Sequence, residues 1–215
     1  MPTYRLHGFG RSGNTYKVAM YLAAAGLDWE PVLVSVAAGD TRKPEWRQAF
    51  NPMGEIPVLE TDGRRLTQSG AILTELAERT GHFAARTPED RTEVLRWILW
   101  DNHKFTGYFA MHRLQKAFAP QPPHPEVLAF LRAQSEQHLA LLESHLAGRD
   151  WVVGTQPTIA DLSLAGYMFY PTAETTFDLA ATHPAITAWT RRIAALPGWK
   201  PPYELLPGGV PVPLR

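Results

Sequence analysis

The stretch NPMGEIPVLETDGRRLTQSGAIL, residues 51–73, decides how the first third of the chain is read. Val58-Leu59-Glu60 and Arg65-Leu66-Thr67 are short strand-like runs. Asp62-Gly63 between them is a strong hairpin signal, because both residues tolerate positive φ. Pro57 stands beside the first run. Proline cannot donate to a sheet ladder, so it belongs at a strand end or edge. Gln68-Ser69-Gly70 then opens a helix predicted to reach Arg79, burying Ile72, Leu73, Leu76 and Ala77 before Gly81. A helix start carries unpaired N–H groups and attracts anions. Ser69 therefore either caps its own helix or offers its hydroxyl and N–H to a carboxylate from outside.

Working outward, TYRLH (3–7) sets Tyr4 and Leu6 against Arg5 and His7, the period of a half-buried strand. The loop GFGRSG leads to a helix from about Asn14, with Val18, Tyr21, Leu22 and Ala25 on one face and Gly26 at its end. VLVSV (32–36) predicts a second strand with Pro31 at its beginning. A weaker helical stretch covers 43–50. The order βαβ-α-ββα describes a small α/β layer structure.

Character changes at 81–88, GHFAARTP. Thr87-Pro88-Glu89-Asp90 combines a cap, a first-turn proline and two acids, predicting a helix to about Phe118. Further helices are predicted from Pro125 to Leu146 and from Pro184 to Leu196. Thr158-Ile159-Ala160-Asp161 reads as a capping box with Asp in place of Glu. The reading is an α/β domain over 1–80, a linker over 81–88 and an all-α domain over 89–215.

Of the 215 residues, 45% are hydrophobic and 20% charged, which suits a globular chain with a real core. Basic and acidic residues balance at 21 each, so no surplus points to nucleic acid or to an anionic membrane. No run approaches the ~18 apolar residues of a membrane span, and the start MPTYRLHGFGRSG does not read as a secretory signal. The expected location is cytoplasmic. There is no cysteine, so disulfides, thiolate metal sites and cysteine nucleophiles are excluded, and any thiol chemistry must use a ligand's sulfur. The eight histidines lack metal-ligand spacing, and no metal is expected. Arginine in excess over lysine and abundant alanine hint at a GC-rich, bacterial genome.

Four pieces in order resemble the glutathione transferase family: Ser12-Gly13-Asn14, Asn51-Pro52 through Ile56-Pro57-Val58, Gln68-Ser69-Gly70-Ala71-Ile72, and the Thr158–Asp161 box. The resemblance covers essentially the whole chain and is similar to the cytosolic, bacterial-like members with a serine or asparagine at the active site. It implies a thioredoxin-like N-terminal domain with a mixed four-stranded sheet, a cis proline at Pro57, and an all-α helical C-terminal domain. It implies glutathione as co-substrate. The Ile56 backbone would pair with the cysteinyl unit in the manner of strand addition, and Gln68 and Ser69 would hold the γ-glutamyl carboxylate.

In several classes of the family a serine at the position of Ser12 donates to the glutathione sulfur. A free thiol titrates near pH ~8.5, and lowering that by about two pH units asks for about 2.7 kcal/mol. One hydrogen bond to a charged acceptor plus a helix dipole is of that size. Alternatively Ser12 is an ordinary N-cap, or Asn14 is the main donor. Tyr4 lies on the inward face of its strand, and neither it nor Tyr16 matches the loop position of tyrosine-using classes. Arg42 or Lys43 falls where relatives contact the glycyl carboxylate, although a solvated basic pair is an equal reading. Glu55 departs from the Lys or Gln of many members. Asp101 either reaches a partner's peptide or faces solvent. The resemblance places the electrophile near Phe9, Arg11, His103 and Tyr108.

The implied activity is detoxifying conjugation of glutathione to a small hydrophobic electrophile by a homodimer. Disulfide or peroxide reduction, dehalogenation and isomerisation on the same fold remain open, as does a non-catalytic binding or regulatory module.

Overall fold

Strand β1 (Tyr4–Gly8) buries Tyr4 and Leu6 and exposes Arg5, as its alternation predicts. His7 is buried as well, because Phe50 covers its ring at 4.9 Å and Glu60 Oε2 lies 3.0 Å from Nε2. The computed structural model describes residues 3–209. These form two units, residues 3–82 with 196–209, and residues 83–195.

In the first unit β1 is followed by α1 (Gly13–Ala24), β2 (Trp29–Leu33), α2 (Pro44–Ala49), β3 (Val58–Thr61), β4 (Arg64–Thr67) and α3 (Ser69–Thr80). The sheet order is β2-β1-β3-β4, with β1 and β2 parallel and the other two pairings antiparallel. This is the thioredoxin-like mixed sheet that the motifs imply. The hairpin turns at Asp62 and Gly63, whose φ values are 49° and 70°, as the Asp-Gly pair demands.

The second strand lies earlier than VLVSV predicts. Pro31 is its third residue, paired opposite Leu6, rather than its first. The sheet tolerates this because β2 is an edge strand, where a missing donor breaks no second ladder.

The second unit has no strand among the described residues. Thr87 caps α4 (Pro88–Trp100), its hydroxyl accepting from Asp90 N at 3.0 Å. The helical run continues to Phe118, as the sequence predicts, but in four pieces. A π-helical turn at Asp101–Phe105 leads into α5 (Thr106–Arg113), and a second follows at Leu114–Phe118. Then come α6 (Pro125–Leu146), α7 (Ile159–Leu164), α8 (Thr172–Thr175), α9 (Leu179–Thr182) and α10 (Pro184–Ala194). The helix α11 (Pro202–Leu205) belongs to the first unit.

The Thr158–Asp161 capping box forms in full. Asp161 is fully buried and accepts from Val152 N at 2.9 Å, Thr158 N at 2.8 Å and Trp189 Nε1 at 2.9 Å. Burial pushes its carboxyl up, and these donors pull it back. Among the described residues no helix is long and apolar enough to cross a membrane.

Candidate functional site

Three chain segments of the first unit carry the candidate site residues. The first is the start of α1. Ser12 sits in extended backbone as its N-cap, and its Oγ accepts from Thr15 N at 3.1 Å. That bond uses a lone pair, and the hydroxyl proton goes to no described residue. Capping and donation to a ligand are therefore compatible roles for one oxygen. Tyr16 is excluded as a competitor. Its phenol is buried, pushed up by desolvation, and donates to Lys200 O at 2.9 Å.

The second segment is the approach to β3. Asn51 is buried and braces the turn, donating from Nδ2 to Glu55 O at 2.9 Å and accepting from Met53 N at 3.0 Å. The Ile56–Pro57 bond is cis. Neither N–H nor C=O of Ile56 bonds a described backbone group, so this residue keeps a main-chain donor and acceptor for another partner just before β3.

The third is the start of α3. Gln68 is the N-cap residue, at φ 67°, and its side chain makes no cap. Ser69 is thus the first helical residue, not the cap of its own helix, and its hydroxyl donates to Asn14 Oδ1 at 3.4 Å. The structure brings Asn14 and Ser69 together and places Ser12, Ile56, Pro57 and Gln68 in the same unit.

Arg42 and Lys43 separate clearly. Lys43 Nζ is held by Asp40 at 2.7 Å, whereas exposed Arg42 has no side-chain partner among the described residues. Phe9 and Arg11 are half-buried in the loop before Ser12. The neighbouring Gly10 N donates to Pro207 O at 2.7 Å. The sequence reading gives 196–209 to the all-α domain over 89–215, whereas the structure groups them with the first unit; PPYELLPGG has no periodicity that names its neighbour.

Within the second unit, His103 is exposed on the first π-helical turn. Tyr108 is half-buried, stacked on His138 at 5.5 Å with Phe130 edge-on. Asp101 does not face solvent. It is fully buried and accepts from Thr106 Oγ1 at 2.7 Å and from Ser163 Oγ.

Comparison with known proteins places the fold in a family. The family model described as glutathione S-transferase, N-terminal domain, matches residues 2–78, and that of the C-terminal domain matches residues 106–197. A crystal structure of a glutathione S-transferase from Xanthobacter autotrophicus Py2 is 37% identical, covering 94% of this chain and 98% of that one, with a TM-score of 0.84. The chain belongs to the glutathione S-transferase family. Two further relatives show how varied the chemistry of glutathione S-transferase relatives is. The disulfide-bond oxidoreductase YfcG of Escherichia coli is 27% identical, over 88% of this chain and 89% of its own. The maleylacetoacetate isomerase of Pseudomonas aeruginosa is 29% identical, over 84% of this chain and 92% of its own.

Proposed function

We propose that the first unit binds glutathione and activates its thiol for attack on an apolar electrophile. The observation that carries this reading is the open Ile56 main chain, in a unit where two helix starts converge through Ser69 and Asn14. An extended cysteinyl unit pairs with the Ile56 backbone. The start of α3 holds the γ-glutamyl carboxylate through its first-turn N–H groups, and the Ser69 hydroxyl joins them by turning its proton from Asn14 Oδ1. Ser12 donates its spare proton to the sulfur and, with the α1 dipole, favours the thiolate. Arg42, the uncommitted cation of its pair, receives the glycyl carboxylate. Catalysis then comes from a larger thiolate fraction and from holding the two reactants together.

The test is the thiolate absorbance of protein-bound glutathione, titrated between about pH 5 and 9. A pKa well below the ~8.5 of a free thiol, returning towards it in Ser12→Ala, is the expected result. Binding without a shift removes Ser12 as activator, and no binding removes the glutathione reading.

The likeness to the E. coli oxidoreductase supports a second reaction at the same site. With no cysteine in the chain, disulfide reduction here runs through the glutathione sulfur alone. Parallel assays with an aryl halide and a small disulfide separate the two.

A further inference from the structure

We propose that Glu55 receives the α-ammonium group of the bound peptide, and that it is the residue by which the site selects a free γ-glutamyl end. The inference rests on the glutathione reading above. It starts from the side chain of Gln68, which the sequence assigns to a ligand carboxylate. In the structure Gln68 Nε2 is already committed, donating to Glu55 Oε2 at 2.8 Å with Met53 Sδ at 3.5 Å. A carboxylate arriving there would meet the negative charge of Glu55 rather than an open amide N–H.

Glu55 is held from two sides. Its carbonyl accepts from Asn51 Nδ2 at 2.9 Å, and its carboxylate accepts from Gln68. It is exposed, and no described cation pairs with it. What the pair still offers outward is acceptor capacity: the second carboxylate oxygen of Glu55 and the amide oxygen of Gln68, neither bonded by a described residue. The next residue, Ser69, opens α3, and a helix start presents the opposite, N–H donors.

An α-amino acid head has matching polarity, with an ammonium and a carboxylate on one carbon. At neutral pH glutathione carries two carboxylates and a single ammonium. A lone carboxylate in its site repels the ligand unless it meets that one cation. The neighbouring groups therefore sort the head group: acceptors of Glu55 and Gln68 to the ammonium, the donor end of α3 to the carboxylate.

The test is calorimetric titration of the wild-type protein and of Glu55→Gln with two ligands. One is glutathione, and the other is its analogue lacking the α-amino group, glutaryl-cysteinyl-glycine. Glu55→Gln keeps an acceptor for Gln68 and the side-chain volume while removing the charge. The wild type is expected to prefer glutathione by about tenfold or more, the size of one charge-assisted hydrogen bond. The variant should lose that preference while binding the analogue at least as tightly as the wild type does, since the repelling charge is gone, which also establishes that its site is intact. A preference that survives in Glu55→Gln, or is absent from the wild type, overturns the assignment. If the wild type binds neither ligand, the glutathione reading itself falls and takes this one with it.

Discussion

The Ser69 hydroxyl donates to Asn14 Oδ1 across 3.4 Å, tying the first turn of α3 to the first turn of α1. The two residues lie 55 positions apart, so the link sets one helix start against the other. Asn14→Ala removes the acceptor and with it this tether between the two helix starts. The expected effect is a rise of about fivefold in KM for glutathione, the worth of one ordinary hydrogen bond, with kcat changed less. Ser12→Ala should show the reverse pattern, lowering kcat/KM through the thiol. Steady-state kinetics of both variants decides, and a kcat loss in Asn14→Ala equal to that of Ser12→Ala would move the activating role to Asn14.

Gly8, the last residue of β1, has no room for a side chain. A Cβ there would lie 2.3 Å from Thr15 Cγ2 and 2.4 Å from Thr15 Oγ1, and Thr15 is itself fully buried in α1. Gly8→Ala is expected to cost about 1–3 kcal/mol by overpacking. Adding Thr15→Ala removes the two nearest atoms and should recover part of the loss. Urea unfolding of the two single variants and the double variant measures this coupling, and simple additivity would show that the clash is relieved elsewhere.

What the sequence made legible was local. Asp62-Gly63 names its own turn, and the Thr158–Asp161 box is written within four residues. Ile56–Pro57 and the helix at Ser69 were legible as a motif in a fixed order. Partners far along the chain were not. Nothing near Asp101 announces Ser163, 62 residues away, whose hydroxyl helps make Asp101 a buried acceptor rather than a surface charge. Pro31 reads as a strand start until the strand order shows β2 at the edge, where a mid-strand proline is tolerated. The π-helical turns insert residues without breaking the helical run, so periodicity alone passes over them. In the site the same limit applies to Glu55, whose role depends on the side chain of Gln68, 13 residues later.

Arg113 and Glu174 form an ion pair buried in the second unit, with side-chain exposures of 4% and 0%. Arg113 Nε and a terminal guanidinium nitrogen both reach Glu174 Oε2, at 2.9 and 2.5 Å, and the guanidinium carbon lies 3.6 Å from the Tyr170 ring centroid. Glu174→Gln leaves the arginine charge buried without its counter-charge and is expected to cost about 3–5 kcal/mol. The double variant Arg113→Met/Glu174→Met removes both charges and should cost less than Glu174→Gln alone. Denaturant midpoints compare the two, and a double variant less stable than the single would show that packing around Arg113, not charge pairing, dominates.

His112 is expected to make the second unit sensitive to acid. It is buried, Nδ1 has no described partner, and Phe177 lies against its ring at 5.3 Å. Burial holds its pKa below the ordinary value for histidine, and the nearby charges of Arg132 and Lys116 press in the same direction, with Glu136 and a hydrogen bond to the Thr175 backbone opposing. The folded state therefore refuses a proton that the unfolded chain accepts near pH ~6.5. Stability from this residue is complete above that pH and is lost as pH falls from there towards the folded pKa, below which both states are protonated and the loss stops growing. His112→Gln cannot titrate, so its stability should fall less between about pH 7.5 and 5.5 than that of the wild type, even if it starts lower. Urea midpoints for both proteins across that range test the linkage. Parallel pH profiles would show that His112 takes up its proton in the folded state as readily as in the unfolded chain, and would assign the acid sensitivity to other groups.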